Sequence, residues 1–128
     1  MRNEDIALLW CCGCNGPAKA RKSNGSEVYP HRKDLAKRVM WICDACTNYV
    51  GSHKADGMPL GSIPDAEIRG LRQDLHRRID PLWQRGKYTR KEVYSLISRE
   101  IGETYHTANV KSRDEYLAVV RVVSALFY

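Results

Sequence analysis

Two short segments decide the fold of this chain: Cys11-Cys12-Gly13-Cys14 and Cys43-Asp44-Ala45-Cys46. In each segment two cysteines are separated by two residues, and residues 15–42 lie between the segments. Two such pairs can bring four thiolates to the corners of a tetrahedron, which is the arrangement of a structural zinc site. The predicted ligands of one structural Zn²⁺ are Cys11, Cys14, Cys43 and Cys46.

Other uses of the cysteines fit the sequence less well. A redox C-x-x-C pair is expected in a strand-helix-strand setting, which the flanking residues do not show. A catalytic zinc ion keeps one coordination position open, whereas four thiolates close all of them. Cys12 is outside the spacing of the first pair and is predicted to bind no metal. His53 is predicted to pack or form hydrogen bonds beside the metal module rather than to bind the ion.

Length and charge limit the size of the core and the kinds of partner. The 128 residues are enough for one domain or two very small ones. Residues up to about 63 are rich in Gly, Cys and turn-forming residues, so this half depends on a metal cross-link. The formal net charge of +6 falls by about two when four thiolates bind one Zn²⁺. The remaining basic excess permits a nucleic-acid or an acidic protein partner and requires neither.

The expected compartment follows from hydropathy and cysteine usage. No apolar run approaches the 18 or so residues of a membrane span. Residues 1–10 include Glu4 and Asp5 and lack the pattern of a secretory signal peptide. Five cysteines in closely spaced pairs are untypical of a disulfide-bonded secreted scaffold. We therefore expect a protein of a reducing, cytosolic compartment, with reduced thiols and no membrane association.

Residues 1–61 are predicted to form a treble-strand zinc ribbon. Its short β segments are predicted at residues 6–10, 27–29, 38–43 and 49–51. Residues 19–26 are polar and small, and Asn24-Gly25 within them is a typical hairpin turn. Asn15 follows the second cysteine of the first pair, where a positive φ turns backbone N–H groups toward sulfur. Residues 52–61 are rich in Gly and Pro and form the predicted boundary.

Residues 62–128 are predicted to form a three-helix unit packed on the ribbon, which makes the fold class α+β. In the first helix Pro64 suits the N1 position, and Pro81 is expected to end or kink the helix. Its apolar stripe consists of Ile68, Leu71, Leu75, Ile79 and Leu82. The other two helices begin with capping boxes, which are Thr89-x-x-Glu92 and Ser112-x-x-Glu115. The last helix is apolar nearly all round, so we expect it to be buried on several sides or to meet a second copy or partner.

With these residues placed, the chain resembles the phage and prophage zinc-finger-containing proteins. The segments that carry the resemblance are Cys11-x-x-Cys14, Trp41-x-Cys43-x-x-Cys46, Tyr49-Val50-Gly51-Ser52-His53, Pro59-Leu60-Gly61 and Asp80-Pro81-Leu82-Trp83. They cover about residues 8 to 105. The resemblance implies zinc and a phage setting, and it supplies no activity.

Basic residues outside the metal module are candidates for contact with a partner. They are Arg69, Arg72, Arg77 and Arg78 on the first helix, away from its apolar stripe, and Lys33 and Lys37 in the loop before the Cys43 strand. A solvated surface explains them equally well without any partner.

Three functions are compatible with the sequence. The first is a non-catalytic phage accessory protein that binds a host protein or nucleoprotein complex, such as an RNA-guided CRISPR nuclease, and so counters host defence. The second is a zinc-ribbon regulator that binds DNA or RNA through its basic residues. The third is a hydrolytic or redox enzyme, for which only the cysteines and His53 are candidates. No catalytic set stands out, so we expect no enzymatic activity.

Overall fold

The computed structural model describes residues 5–128, and its contacts divide the chain into two compact units. The first unit ends at Asp65, and the second is Ala66–Tyr128. The first is built on a four-stranded antiparallel sheet, and the second consists of helices. The predicted α+β class is therefore confirmed, whereas the packing of one unit on the other stays a prediction.

The sheet of the first unit, the ribbon unit, is a simple antiparallel meander in the order β1-β2-β3-β4. Its strands are β1 (Ile6–Cys11), β2 (Gly16–Asn24), β3 (Val39–Cys43) and β4 (Tyr49–Gly51). Its two edge strands differ in length, since β1 has six residues and β4 has three. Cys11 and Cys43 stand at the last positions of β1 and β3, so the strands themselves deliver two of the four paired cysteines to one place.

One face of this sheet forms a small core around Trp41, which is 1% exposed. The buried residues of this cluster are Cys11, Ala20, Trp41, Cys43, Val50 and Ile63. The indole Nε1–H of Trp41 donates to the carbonyl oxygen of Gly57 at 2.8 Å, so the ring is buried without an unpaired donor. Ile63 joins the core because its backbone N–H donates to Trp10 at 2.8 Å and its carbonyl accepts from Cys12 at 2.9 Å.

The second strand differs from the sequence prediction. No β segment is predicted between residues 10 and 27, but β2 extends from Gly16 to Asn24 and makes the sheet four-stranded. Alternation explains this strand: Ala18 and Ala20 pack toward the core, while Lys19 between them is exposed. Alanine has a low strand propensity, so this alternating pattern is easily missed.

The predicted strand at residues 27–29 and the hairpin at Asn24-Gly25 are also wrong. Gly25–Val28 forms a short helix, α1, because the Asn24 side chain accepts from the Ser26 backbone N–H at 3.1 Å and caps it. Gly25 is required by a close approach, since a Cβ there would lie 1.7 Å from the carbonyl oxygen of Leu35. A 3₁₀ turn over Lys33–Leu35 then leads to β3.

The second unit, the helical unit, contains α2 (Ala66–Gln84), α3 (Arg90–Ile101) and α4 (Arg113–Phe127). Pro64 precedes α2 and is not its N1 residue. Pro81 does not end α2, which continues to Gln84 because Pro81 still accepts from the Arg85 N–H at 3.2 Å. The loss of one donor near the end of a helix leaves the remaining hydrogen bonds intact. None of the helices within residues 5–128 is long and apolar enough to span a membrane.

The capping predictions for α3 and α4 have different outcomes. At α3 both hydrogen bonds of the box are present, between Thr89 and Glu92, and Gly102 ends the helix with φ of 80°. At α4 the Ser112 hydroxyl accepts from the Glu115 N–H at 3.1 Å, but the Glu115 carboxylate instead accepts from the Lys111 N–H at 2.6 Å. The second box is therefore formed on one side only.

The core of the helical unit is formed by all three helices and by the segment between α3 and α4. Its buried residues are Leu75, Ile79, Leu82, Val93, Ile97, Tyr105, Val110, Val119 and Val123. Leu117 and Leu126 of α4 are each 37% exposed, so this helix is not buried on all sides within residues 5–128, and its contact with a second copy or a partner stays a prediction. Only Val119 and Val123 of α4 are fully buried.

Candidate metal centre

The four paired cysteines converge on one point at the end of the sheet. Their Sγ atoms all lie within 4.8 Å of one another. Cys11 and Cys46 are separated by 3.4 Å between sulfurs, and Cys14 and Cys43 by 3.7 Å. Four sulfurs around one Zn²⁺ at about 2.3 Å stand about 3.8 Å apart in a tetrahedron, so the observed cluster has the right size for that ion. None of the five cysteines is in a disulfide.

Each pair combines one cysteine on a strand with one in the turn that follows. Asn15, directly after Cys14, has φ of 56°, and Thr47, directly after Cys46, has φ of 63°. These are the only described non-glycine residues with positive φ. The left-handed turn of Asn15 agrees with the sequence prediction. That of Thr47 was not predicted, because a β-branched residue is disfavoured in this conformation.

A ring of hydrogen bonds holds the second turn against the cluster. The Cys43 N–H donates to the Asn48 carbonyl at 2.8 Å, and the Thr47 N–H donates to the Cys43 carbonyl at 3.0 Å. The side-chain amide of Asn48 lies 3.3 Å from the Cys46 Sγ and donates to it. Hydrogen bonds donated to the ligand atoms of a metal site orient those ligands and tune their basicity. Asn48 is therefore a supporting residue that sequence spacing alone did not identify.

Gly13 faces this hydrogen bond from the first turn. A Cβ at that position would stand 2.3 Å from Asn48 Nδ2 and 3.3 Å from Cys46 Sγ. The glycine between the first two ligands is thus required by the close approach of the second turn. The two C-x-x-C segments pack directly on each other at this point.

The thiols differ in how readily they ionise without a metal. Burial raises the pKa of Cys11 to about 12. Burial also acts to raise the pKa of Cys46, but the Asn48 backbone N–H and the neighbouring thiols outweigh it and lower that pKa to about 7. Hydrogen bonding with Cys43 raises the pKa of Cys14. Because thiols must ionise to coordinate a metal, binding of a divalent cation here releases protons.

The cluster has the chemistry of a structural site. Four thiolates fill a tetrahedron, so no coordination position is left for water or substrate. Cys12 is not part of the cluster, although its backbone N–H pairs with Ile63. His53 is exposed and also outside it, and its backbone pairs with Met58 and Gly57 across a tight loop. The exposed side chain of His53 is not packed against the ribbon, so its predicted packing is not confirmed, and the absence of metal binding by Cys12 and His53 stays a prediction.

The basic candidates outside the cluster are divided between the two units and differ in exposure. Lys33 and Lys37 are exposed in the loop before β3. Arg77 and Arg78 are exposed on α2, where both pair with Asp74. The expectation that Arg72 lies on a solvated face is wrong: it is 8% exposed and its Nε donates to the Val110 carbonyl at 2.9 Å.

Arg69, the sixth candidate, is intermediate in exposure, and one of its terminal nitrogens is buried. The α2 arginines therefore divide into two that are exposed, one that is partly covered and one that belongs to the interior. A helix position three or four residues from core residues on both sides lies on the same face as they do, as Arg72 does between Ile68 and Leu75.

Comparison with known proteins agrees with this description of the site. A search of curated proteins and of solved structures found no match. Residues 7–125 match the model of a family described as a zinc-finger-containing domain. This match includes both C-x-x-C segments and most of the helical unit. The chain therefore belongs to the family of zinc-finger-containing domains, with one four-cysteine site that can bind one zinc ion.

Proposed function

We propose that this chain is a non-catalytic, zinc-stabilised binding protein that acts by docking to a protein partner. The observation that carries the proposal is the exposed face of β1, which has three large apolar side chains. Ile6, Leu8 and Trp10 alternate along that strand and are 39%, 73% and 39% exposed. Three large apolar side chains in a row on one strand are unusual on a surface without a partner.

The backbone of β1 supports the same conclusion. β1 is an edge strand of the sheet. Within residues 5–128 its outer edge is covered only near its end, where Ile63 pairs with Trp10 and Cys12. Since backbone groups of alternate residues point to the same side, the N–H and C=O of Leu8 also face outward. No segment within residues 5–128 pairs with that edge beside Leu8.

The neighbouring strand adds charge to this surface. Lys19 lies opposite Leu8, and Arg21 lies opposite Ile6. Arg21 is already paired with Glu27 and with Asp44 at 3.7 Å, whereas Lys19 has no ion pair within the described chain. An extended peptide that adds a strand beside β1, with apolar side chains and an acidic residue facing Lys19, matches these features.

The biological setting of this proposal comes from the resemblance to phage and prophage proteins. We place the chain among phage accessory proteins of the bacterial cytosol that bind a host protein machine. An RNA-guided CRISPR nuclease is the partner class we propose, which would make the chain a counter-defence inhibitor. The closed four-cysteine site supports a binding role, because it offers no position for catalysis.

The test is inhibition of a reconstituted RNA-guided nuclease by the purified, zinc-loaded chain. We expect loss of target cleavage near equimolar ratio and co-elution of the two proteins on size exclusion. Leu8→Glu should weaken both effects at least tenfold, whereas the matched variant Met58→Glu, at a residue that is 51% exposed and outside β1, should not. Full nuclease activity in the presence of excess chain would refute the proposed partner class. Equal effects of the two variants would refute the β1 surface.

A second copy of the chain is a further partner that we propose for α4. Leu117 and Leu126 each remain 37% exposed, and Tyr128 is 72% exposed. Light scattering across a concentration series should then show a dimer that Leu117→Ser reduces to a monomer. A monomer at all concentrations would rule this out.

A further inference from the structure

A second surface of the ribbon unit has a different chemistry from β1. It is a cleft of about 690 Å³ between β2, the loop before β3 and the loop after β4. Its charged lining residues are Lys22, Lys37, Arg38, Lys54, Asp34 and Asp56. The cations come from three separate chain segments, so the fold and not a run of sequence brings them together.

The two carboxylates of the cleft are already occupied. Asp34 accepts from Arg32 Nε at 3.0 Å and from a terminal nitrogen of Arg32 at 2.8 Å. This pairing with Arg32 lowers the pKa of Asp34. The negative charge of Asp34 is therefore balanced by the guanidinium of Arg32. Asp56 accepts from the Met58 backbone N–H at 2.9 Å and shapes its own loop.

The four cations of the cleft have no such partners. Lys22, Lys37, Arg38 and Lys54 make no ion pair with any residue of the described chain. All four are exposed. Gly57, with φ of 71°, leaves room beside Lys22, whose Nζ lies 3.8 Å from the position of a Cβ on that glycine. The cleft is therefore open and has a net positive charge.

We propose that this cleft binds the phosphate backbone of a nucleic acid. Four unpaired cations on three segments exceed what a single phosphate group needs and suit successive phosphates of one strand. The volume is also large enough for more than one such group. This inference is independent of the β1 surface, because Ile6, Leu8 and Trp10 do not line the cleft.

The lining also determines which kind of nucleic-acid binding is expected. His53 is the only ring among the lining residues, and Trp41 is buried in the core. Stacking of bases in this cleft is therefore limited to the single ring of His53, and contacts to phosphates carry no sequence information. Binding should be independent of base sequence and should weaken steeply with salt. For about four phosphate contacts, affinity for duplex DNA falls on the order of 100-fold between about 50 and about 200 mM salt.

The experiment measures fluorescence anisotropy of a labelled DNA duplex and of single-stranded RNA against the zinc-loaded full chain. We compare Lys37→Glu/Lys54→Glu with Lys91→Glu/Arg99→Glu on α3, which changes the net charge equally outside the cleft. The cleft variant should bind at least tenfold more weakly and lower the slope of log affinity against log salt by about two. The control variant should retain both values. Zinc content and circular dichroism confirm that each variant is folded, and Lys37→Gln/Lys54→Gln repeats the test without added negative charge.

Three results would overturn the proposal. The first is undetectable binding at about 50 mM salt, and the second is equal loss in the two charge variants, which indicates a diffuse charge effect. The third is competition by poly-glutamate as strong as by DNA of equal charge, which would assign the cleft to an acidic protein. Because Leu8→Glu leaves the cleft intact, it should retain nucleic-acid binding even if the protein partner on β1 is refuted.

Discussion

Asn15 and Thr47 occupy equivalent positions, each directly after the second cysteine of its pair and each with a left-handed backbone, at φ of 56° and 63°. The two turns therefore have the same backbone conformation at the same position, and in each turn this conformation directs two sulfurs toward the cluster. Asparagine adopts this conformation readily, whereas a β-branched threonine is strained by about 1–2 kcal/mol. Thr47 is held there by its neighbours, including the hydrogen bond from the Thr47 N–H to Cys43.

Thr47→Asn should stabilise the ribbon unit, because it places the residue found in the first turn into the second. We expect the free energy of unfolding of the zinc-loaded chain to rise by about 0.5–1 kcal/mol in denaturant titrations. Thr104→Asn is the matched control, since the described Thr104 does not have a positive φ. A loss of stability in Thr47→Asn alone would show that the Thr47 hydroxyl, which donates to the Cys46 carbonyl at 2.6 Å, matters more than backbone strain.

Cys46→Ser should remove zinc and unfold the ribbon unit. Zinc coordination by four thiolates contributes about 10 kcal/mol of gross folding free energy, and a sheet of this size has little else to replace it. Metal analysis should give one zinc per chain for the wild type and none for the variant. Cys12→Ser should retain the metal, because Cys12 is not in the cluster. Retention of zinc by Cys46→Ser, or its loss from Cys12→Ser, would contradict the assigned ligands.

Gly13→Ala should weaken zinc binding without removing a ligand. The new methyl group would stand 2.3 Å from Asn48 Nδ2, so the amide must leave the Cys46 sulfur. Loss of such an outer hydrogen bond lowers metal affinity by about 10- to 100-fold, which a chelator competition assay can measure. Gly16→Ala is the control, because a Cβ at Gly16 meets nothing within 4 Å. Equal affinities of the two variants would show that the contact between the turns is not needed.

The sequence was sufficient to predict the metal cluster because ligand spacing is a local property. The C-x-x-C pairs, the left-handed Asn15 and the capping box at Thr89 each depend on residues within a few positions of each other. Asn48 could not be found in this way, since its role depends on the packing of one turn against Gly13 of the other. β2 was missed because its inward side chains are alanines, whose weak apolar signal is lost beside lysine and arginine.

The hydrophobic pattern of α2 does not identify all of its buried residues, because the packing of this helix involves distant segments. The apolar stripe included Leu71, which is only half-buried, and omitted Arg72, which is buried. The backbone carbonyl of Val110 lies where Arg72 Nε can donate to it, and that acceptor comes from a distant segment. A helical wheel contains no information about such a partner. The exposed residues of β1 are a similar case, because an unbroken apolar run predicts a strand but not which of its faces is covered.

Arg72→Ala should therefore destabilise the helical unit, which a solvated arginine would not do. Removal of a buried, hydrogen-bonded side chain leaves the Val110 carbonyl without its donor and opens a cavity beside Leu75. We expect a loss of about 2–4 kcal/mol in the free energy of unfolding, measured by denaturant titration of the helical signal. Arg77→Ala, on the exposed side of the same helix, should have no measurable effect. Comparable losses in the two variants would contradict the burial of Arg72.

Asp74 should make the stability of the helical unit depend on acidic pH. The Tyr116 hydroxyl and the Arg78 guanidinium, the latter at 2.6 Å, donate to its carboxylate and lower its pKa. A carboxyl group whose pKa is lower in the folded than in the unfolded state stabilises the fold at pH values above its unfolded pKa of about 4. That stability is lost as the pH falls through the folded pKa, when the Asp74 carboxylate that accepts from Tyr116 and Arg78 is protonated.

The test is Asp74→Asn, compared with Glu100→Gln at an exposed position of α3 that has no ion pair within the described chain. At pH 7 Asp74→Asn should lower the free energy of unfolding by about 1 kcal/mol, because partial exposure weakens such pairs. As the pH falls below about 4 and through the lowered pKa of folded Asp74, the stability of the variant should approach that of the wild type, since the wild-type carboxyl then also becomes uncharged. A difference between wild type and Asp74→Asn that stays constant from pH 7 to pH 3 would show that the Asp74 contribution is not electrostatic.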